Sequence, residues 1–226
     1  MKPQVKLGEA RAPGGACLTL HAHDGHFVVR ADGQTLMHSA LAESEELLGE
    51  LAAEAAAGKR CARVLVGGLG LGFTLRRVLA GLAADAHVEV AELSPELVEW
   101  NRSHLLDLNR GALQDARVAV RVADVRSALG LAKWDVVALD VDNGPVAMVR
   151  AGNATLYDER GVSRLAAALR PGGRLLVWSA GPDGVFEKRL RSAGFVQVGT
   201  RRGRDERAGR VRSRGYVIFT AERPGP

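Results

Sequence analysis

Three carboxylates stand at positions of this chain where chemistry is easily assembled. Glu92, Asp124 and Asp140 each follow a short apolar run of the kind that forms a buried strand. The carboxyl ends of parallel strands meet at one edge of a sheet, so these side chains are expected to lie near one another. Grouped carboxylates can accept hydroxyl or amine protons, and each can serve as a general base.

A glycine-rich turn is expected to join them at that edge. It follows the apolar run at Val64–Val66, and Gly68, Gly70 and Gly72 are spaced two apart. Glycine lets the chain turn sharply after a strand and lets a ligand approach the backbone. The helical pattern that follows begins with unpaired N–H groups. Together the turn and the acids predict a nucleoside site, in which Glu92, about twenty residues after the glycines, accepts from ribose hydroxyls.

The elements that would position these residues alternate between strand and helix. Such alternation predicts a mostly parallel sheet with helices on both faces. A final pair of strands is joined without a helix, so one of them is expected to be antiparallel. The predicted strands are 64–66, 88–92, 118–122, 136–140, 175–179, 195–199 and 216–220. Ser94 and Pro95 predict the start of one of the helices, as N-cap and first residue.

The N-terminal part has a different pattern. Residues 1–16 predict an irregular leader, and residues 17–40 predict a small antiparallel meander with Asp24-Gly25 and Asp32-Gly33 as its turns. Residues 41–226 are then the Rossmann-like catalytic domain. The helix expected from Leu41 to Ala57 has leucines on one face and acids on the opposite, polar face.

These motifs resemble the spermidine synthase-like branch of the class I S-adenosylmethionine-dependent transferases. The matching segments are VLVGGLGLGFTLRRVL at 64–79, VAEL at 90–93, VAD at 122–124, LDVDNGP at 139–145, LY at 156–157 and LRPGG at 169–173. The resemblance implies a seven-stranded class I methyltransferase fold whose last strand is antiparallel, a small N-terminal β-domain, and S-adenosylmethionine or its decarboxylated form as cofactor.

The resemblance also implies roles for individual residues. Gly68, Gly70 and Gly72 would line the methionine and ribose part of the cofactor, Glu92 would hold the ribose, and Asp124 would face the adenine. Further expected cofactor-binding residues are Leu69, Leu93, Val125 and Asp140. Asp140 would orient and deprotonate the attacking amine, with Asp142 behind it and His38 as a second catalytic candidate. The expected acceptor-binding residues are Asn143, Tyr157, Trp178 and Ser179.

One departure from the family ranks the possible reactions. Aminopropyltransferases have an acid inside the glycine-rich turn that binds the free ammonium of decarboxylated S-adenosylmethionine, and Leu71 occupies that position here. An ammonium without a partner loses affinity. Methyl transfer to a nitrogen or oxygen of a small molecule is therefore the first expectation, and aminopropyl transfer is the alternative. A non-catalytic or nucleic-acid-associated module with this fold is a third possibility.

The composition limits the kinds of binding partner that are expected. The chain has a formal net charge of +5 and arginines crowd between Arg201 and Arg214, yet only 4% of its residues are aromatic, so base stacking on nucleic acid is not expected. No membrane span or apolar signal segment is found, which predicts a cytoplasmic protein. His21, His23 and His26 have no supporting carboxylate or cysteine spacing, so no metal is expected. The family resemblance implies a homodimer.

Overall fold

A computed structural model describes residues 3–12, 15–130, 133–141, 154–202 and 216–225. Asp142 and Asn143, and most of the arginine-rich segment after Arg202, therefore lie outside the described residues. Within those ranges, no helix is long and apolar enough to cross a membrane.

The N-terminal sheet has four antiparallel strands in sequential order. They are β1 (Val5–Arg11), β2 (Cys17–His23), β3 (His26–Ala31) and β4 (Gln34–His38). The Asp-Gly turns are as predicted, because Asp24 and Gly25 have φ values of 51° and 78°, and Asp32 and Gly33 have 49° and 80°. Two successive positive φ angles give the turn whose twist matches that of the flanking strands.

The first of these strands corrects the prediction of an irregular leader. Val5–Arg11 pairs with β2 along its length, with a register shift between Lys6 and Gly8. Gly8 lies against the indole of Trp100, and a Cβ there would come within 2.6 Å of the Trp100 Nε1 atom. The sheet is thus fastened to the main domain through a cluster that includes Leu20, Phe73 and Trp100.

The main sheet has seven strands and the predicted mixed order. They are β5 (Arg63–Gly67), β6 (His87–Glu92), β7 (Val118–Val122), β8 (Trp134–Leu139), β9 (Leu169–Ser179), β10 (Val196–Arg201) and β11 (Val217–Glu222). From one edge to the other the order is β10-β11-β9-β8-β5-β6-β7. β11 is antiparallel to both neighbours, as expected, and the other neighbouring pairs are parallel. Pro171-Gly172-Gly173 lies inside β9, where the pairing with β8 is irregular.

Helices cover both faces of this sheet, because its central strands are apolar on both sides. They are α1 (Glu43–Ala56), α2 (Phe73–Gly81), α3 (Pro95–Arg102), α4 (Leu106–Asn109), α5 (Val125–Leu129), α6 (Ala154–Tyr157), α7 (Glu159–Ala168) and α8 (Gly184–Ser192). α1, α2 and α3 pack on one face and α5, α7 and α8 on the other. The Ser94 hydroxyl caps α3 as predicted, accepting from the N–H of Leu97.

The sheet order reverses direction at β5. The chain passes from β5 outward to β6 and β7, then returns to add β8 on the other side of β5. The carboxyl ends of the strands beside such a reversal are where open α/β sheets bind ligands.

Candidate active site

The glycine-rich turn is pressed against the end of β8. Gly68 has a φ of +85°, and a Cβ on it would come 2.2 Å from the carbonyl oxygen of Asp140. No side chain fits there without moving the backbone. Gly70 has a φ of +52°, and a Cβ on it would come 3.4 Å from the sulfur of Met37 in β4, so the small sheet packs over the turn.

Gly72 has a different task from the one expected. Its φ of +87° sets the start of α2, and a Cβ would come 2.7 Å from Asn101 Oδ1 and 2.8 Å from Asn109 Cβ. It does not line the crevice. The third glycine of the pattern thus permits close packing of α2 against the α3–α4 segment.

Glu92 is buried at the end of β6 and organises the turn. Its Oε2 accepts from the N–H of Leu69 at 2.9 Å, and its Oε1 accepts from the N–H of Ser94 at 2.8 Å. Burial raises the pKa of this carboxyl, and the backbone N–H groups work in the opposite direction. The backbone N–H groups that lower the pKa of Glu92 are those of Leu69, Gly70, Leu93 and Ser94, so this carboxylate joins the glycine-rich turn to the start of α3.

Asp124 carries its own counter-ion. Arg126 donates to both carboxylate oxygens, from Nε at 2.9 Å and from the guanidinium end at 2.5 Å, and its backbone N–H adds a third hydrogen bond at 2.8 Å. The Arg126 side chain holds the pKa of Asp124 below its usual range. The carboxylate is therefore both the N-cap of α5 and half of an ion pair.

Asp140, at the end of β8, faces another acid instead. The hydroxyl of Thr74 donates to its Oδ2 at 3.4 Å and lies 3.4 Å from the carbonyl oxygen of Glu45, in the first turn of α1. Burial and the charge of Glu45 raise the pKa of Asp140 to about 7. Burial also raises the pKa of Glu45, although the Ser44 hydroxyl donates to it. A carboxyl that titrates near neutrality is suited to proton transfer.

These groups line one cavity of about 220 Å³. It brings together most of the predicted site residues, namely Gly68, Leu69, Gly70, Glu92, Leu93, Asp124, Val125, Asp140 and Trp178. The indole N–H of Trp178 is buried and has no acceptor within the described part of the chain. The acids of the lining are Glu45, Glu92, Asp124 and Asp140, and no Lys, Arg or His of the described ranges lines it with them.

Other predicted residues lie elsewhere. The His38 ring accepts from the N–H of Ala40 at 3.0 Å and packs 5.6 Å from the ring of His26, at the outer end of β4. Tyr157 is buried with its ring edge-on to Phe186, and the Ser179 hydroxyl donates to the carbonyl of Gly181. None of these three side chains lines the cavity.

Sequence reasoning missed Glu45. The helical periodicity assigns it to the polar face of α1, with Glu46 and Glu50. Those two acids pair with Arg76 and Arg77 of α2, whereas Glu45 faces the cavity. The signal that could have found it is its position in the first turn of the helix that follows the small sheet, at the junction of the two sheets.

Comparison with known proteins finds relatives that are similar in sequence. No family model matches the chain. It is 30% identical to a polyamine aminopropyltransferase of Synechococcus sp. (strain JA-3-3Ab) over 167 residues, which cover 73% of this chain and 50% of that protein. It is 38% identical to polyamine aminopropyltransferase 2 of Pseudomonas aeruginosa over 120 residues, covering 50% of this chain and 32% of that protein. The chain thus matches half or less of the length of these relatives.

Solved structures give the same result over almost the whole chain. The spermidine synthase from Thermotoga maritima superimposes with a TM-score of 0.75 at 18% identity, covering 98% of this chain and 74% of that one. A spermidine synthase in complex with the transition state analogue AdoDATO gives a TM-score of 0.74, also at 18% identity, covering 98% and 73%. The chain therefore has the spermidine synthase-like fold of the class I S-adenosylmethionine-dependent transferases.

Proposed function

We propose that this protein transfers an aminopropyl group from decarboxylated S-adenosylmethionine to an amine of a small molecule. The observation that carries the proposal is the charge of the cavity, in which acids surround the glycine-rich turn without a basic neighbour among the described lining residues. A sulfonium with a free ammonium and no carboxylate is the complementary ligand. The names of the curated relatives support the same reaction.

This proposal reverses the ranking expected from the sequence. Leu71 in the turn favours methyl transfer only if no other acid replaces the missing one, and Glu45 and Asp140 bring acids to the same cavity. S-adenosylmethionine itself carries a carboxylate, and like charges at close range are unfavourable. The comparisons, too, favour the aminopropyl alternative over the methyl reaction.

The residues present fit such a ligand. Gly68, Gly70 and Glu92 all line the cavity, and Glu92 is the carboxylate proposed to face the ribose hydroxyls. Val125 and Leu93 offer apolar contacts beside Asp124, at the side of the cavity expected to face adenine. When bound, the sulfonium supplies an electrophilic methylene carbon, and methylthioadenosine leaves as the C–S bond breaks.

The chain's own part in the reaction is positioning and proton removal. The acceptor amine is protonated at neutral pH and must lose a proton before its lone pair can form the new C–N bond. Asp140, whose pKa lies near 7, accepts that proton on its carboxylate. Thr74 donates to the Asp140 carboxylate and fixes its orientation. Trp178 forms part of the wall near Asp140 and helps to exclude water.

The acceptor and the assembly remain proposals. A polyamine acceptor is consistent with the anionic cavity, and the relatives are named for polyamine substrates. The homodimer and the cytoplasmic location stay predictions.

Product analysis tests the reaction. The purified protein is incubated with putrescine or spermidine and with either S-adenosylmethionine or its decarboxylated form, and the released nucleoside is identified by mass spectrometry. We expect methylthioadenosine with the decarboxylated donor. Release of S-adenosylhomocysteine, with no methylthioadenosine, would restore the methyltransferase interpretation.

A further inference from the structure

We propose that Glu45 is the specificity-determining residue for the donor, and that it binds the terminal ammonium of the aminopropyl chain from helix α1 instead of from the glycine-rich turn. The inference rests on the proposed function and deepens it. It assigns the choice between decarboxylated and intact S-adenosylmethionine to one side chain outside the motifs that identify the fold.

The first argument is position. α1 begins at Glu43, directly after the small sheet, and its first turn brings Ser44 and Glu45 to the cavity wall. Thr74 of α2 contacts both the Glu45 backbone and the Asp140 carboxylate, each at 3.4 Å. The two carboxylates therefore approach the same part of the cavity from different elements, one from the helix and one from the end of β8.

The second argument is the missing counter-ion. On the same helix Glu46 pairs with Arg76, and Glu50 pairs with Arg77 at 3.1 Å. None of the ion pairs between described residues includes Glu45 or Asp140. Two adjacent, partly buried carboxylates with no cation among the described residues are unfavourable, so a cation from the ligand gains more free energy here than at an exposed acid.

The third argument concerns the turn itself. Leu71 is only 5% exposed and belongs to the apolar cluster that fastens the small sheet. It offers no charge to the cavity. The carboxylate that could serve an ammonium there must come from outside the turn, and Glu45 shares the cavity with Leu71.

The fourth argument is chemical reach. The ammonium of the donor is three carbons from its sulfur, and the first of these carbons is the one that reacts. If that carbon lies beside Asp140, which removes the acceptor's proton, the ammonium lies within a short distance of the same carboxylate. Glu45 is the acid whose negative charge raises the pKa of Asp140. The ammonium thus fits between the two acids.

Calorimetry on three ligands tests the inference. Dissociation constants of decarboxylated S-adenosylmethionine, S-adenosylmethionine and methylthioadenosine are measured for the wild type, Glu45→Gln and the control Glu43→Gln. Glu43 is an exposed acid in the same first turn of α1, so it matches the effect of removing a charge near the helix start. Glu45→Gln should weaken the decarboxylated donor about 10- to 100-fold and change methylthioadenosine, which lacks an ammonium, less than about 3-fold.

The outcomes separate this inference from the proposed function. If the wild type prefers the decarboxylated donor and Glu45→Gln keeps that preference, Glu45 is not the selector, although the proposed function stands. An equal loss for all three ligands assigns Glu45 a structural role and also overturns the inference. If the wild type prefers S-adenosylmethionine, or binds neither donor, the proposed function fails and the inference fails with it. Partial recovery of donor affinity in Glu45→Asp would support a charge contact.

Discussion

Two acids that follow separate strands of the main sheet line the same cavity in opposite electrostatic surroundings. Asp124 is paired with Arg126 two residues later, and its pKa is lowered. Asp140 faces Glu45, has no cation among the described residues, and has a raised pKa. The protein thus neutralises the acid at the end expected to hold the adenine and leaves the other pair for a cationic ligand. The comparison shows that the same residue type after two strands of one sheet can have its pKa shifted in opposite directions, and the proposed function makes Asp140 the reactive carboxylate.

The largest effect is expected at the reactive acid. Asp140→Asn removes the proton acceptor while preserving size, so turnover should fall about 10²- to 10⁴-fold. Methylthioadenosine affinity, measured by calorimetry, should change less than about 3-fold. The exposed Glu99 on α3 gives a matched control, and Glu99→Gln should leave turnover unchanged. Normal turnover by Asp140→Asn would remove the distinction between the two acids.

The close contact between the turn and Asp140 gives the next prediction. Gly68→Ala requires both a positive φ and space that the Asp140 carbonyl occupies, so it should lower the free energy of unfolding by about 3 kcal/mol. Gly58→Ala shares the positive φ, at 73°, but has no atom within 4 Å of the added methyl, and should cost only about 1 kcal/mol. Urea unfolding measures both. Equal losses would mean that the contact between turn and acid is unimportant for stability.

The two acids should affect stability in opposite directions. The pKa of Asp140 is raised on folding, so its ionisation costs stability as pH rises from about 4 through about 7, and Asp140→Asn should gain stability at pH 8, at most about 4 kcal/mol, and nothing near pH 4. The pKa of Asp124 is lowered, so its stabilisation is present above about pH 4 and lost at lower pH.

Asp124→Asn retains the cap of α5, because Asn caps helices as well as Asp does, and should lose about 0.5–1 kcal/mol at pH 8. Melting temperatures of both variants at pH 4 and pH 8 measure these changes. The same sign for both variants at pH 8 would contradict the division into paired and unpaired acids.

The smallest expected effect tests the electrostatic interaction between Asp140 and Glu45. The rate should fall as pH drops through about 7, because a protonated Asp140 cannot accept the acceptor's proton. Glu45→Gln removes the charge that helps to raise this pKa, so the acidic limb of kcat/KM should move down by about 0.5–1 pH unit. An unchanged limb would mean that the two carboxylates do not interact in solution.

The positions of the strand-end acids and the ion pair of Asp124 could be predicted from the sequence. Parallel strands with apolar runs end at one edge, so Glu92, Asp124 and Asp140 were predictable as a group from their positions alone. The pairing of Asp124 was also within reach, since Arg126 is only two residues away. The spacing of residues along the sequence therefore predicted which acids lie at the site.

The position of Glu45 in the cavity depends on tertiary packing and could not be predicted in the same way. Glu45 repeats the helical pattern of its acidic neighbours, and only the docking of α1 against α2 shows that it faces the cavity while Glu46 and Glu50 pair with arginines. The packing role of Gly72 was missed for a related reason, because a glycine that permits close packing of Asn101 and Asn109 has the same spacing as one that permits a ligand. Strand β1 was missed because its residues alternate too weakly in polarity to show a buried face.

A competition experiment tests the central claim most directly, that unpaired carboxylates select a donor with an ammonium and no carboxylate. The protein is dialysed against equal concentrations of S-adenosylmethionine and its decarboxylated form, and the bound nucleosides are quantified by mass spectrometry. The account predicts that the decarboxylated form is at least about tenfold enriched on the protein. Equal occupancy or enrichment of S-adenosylmethionine would contradict it.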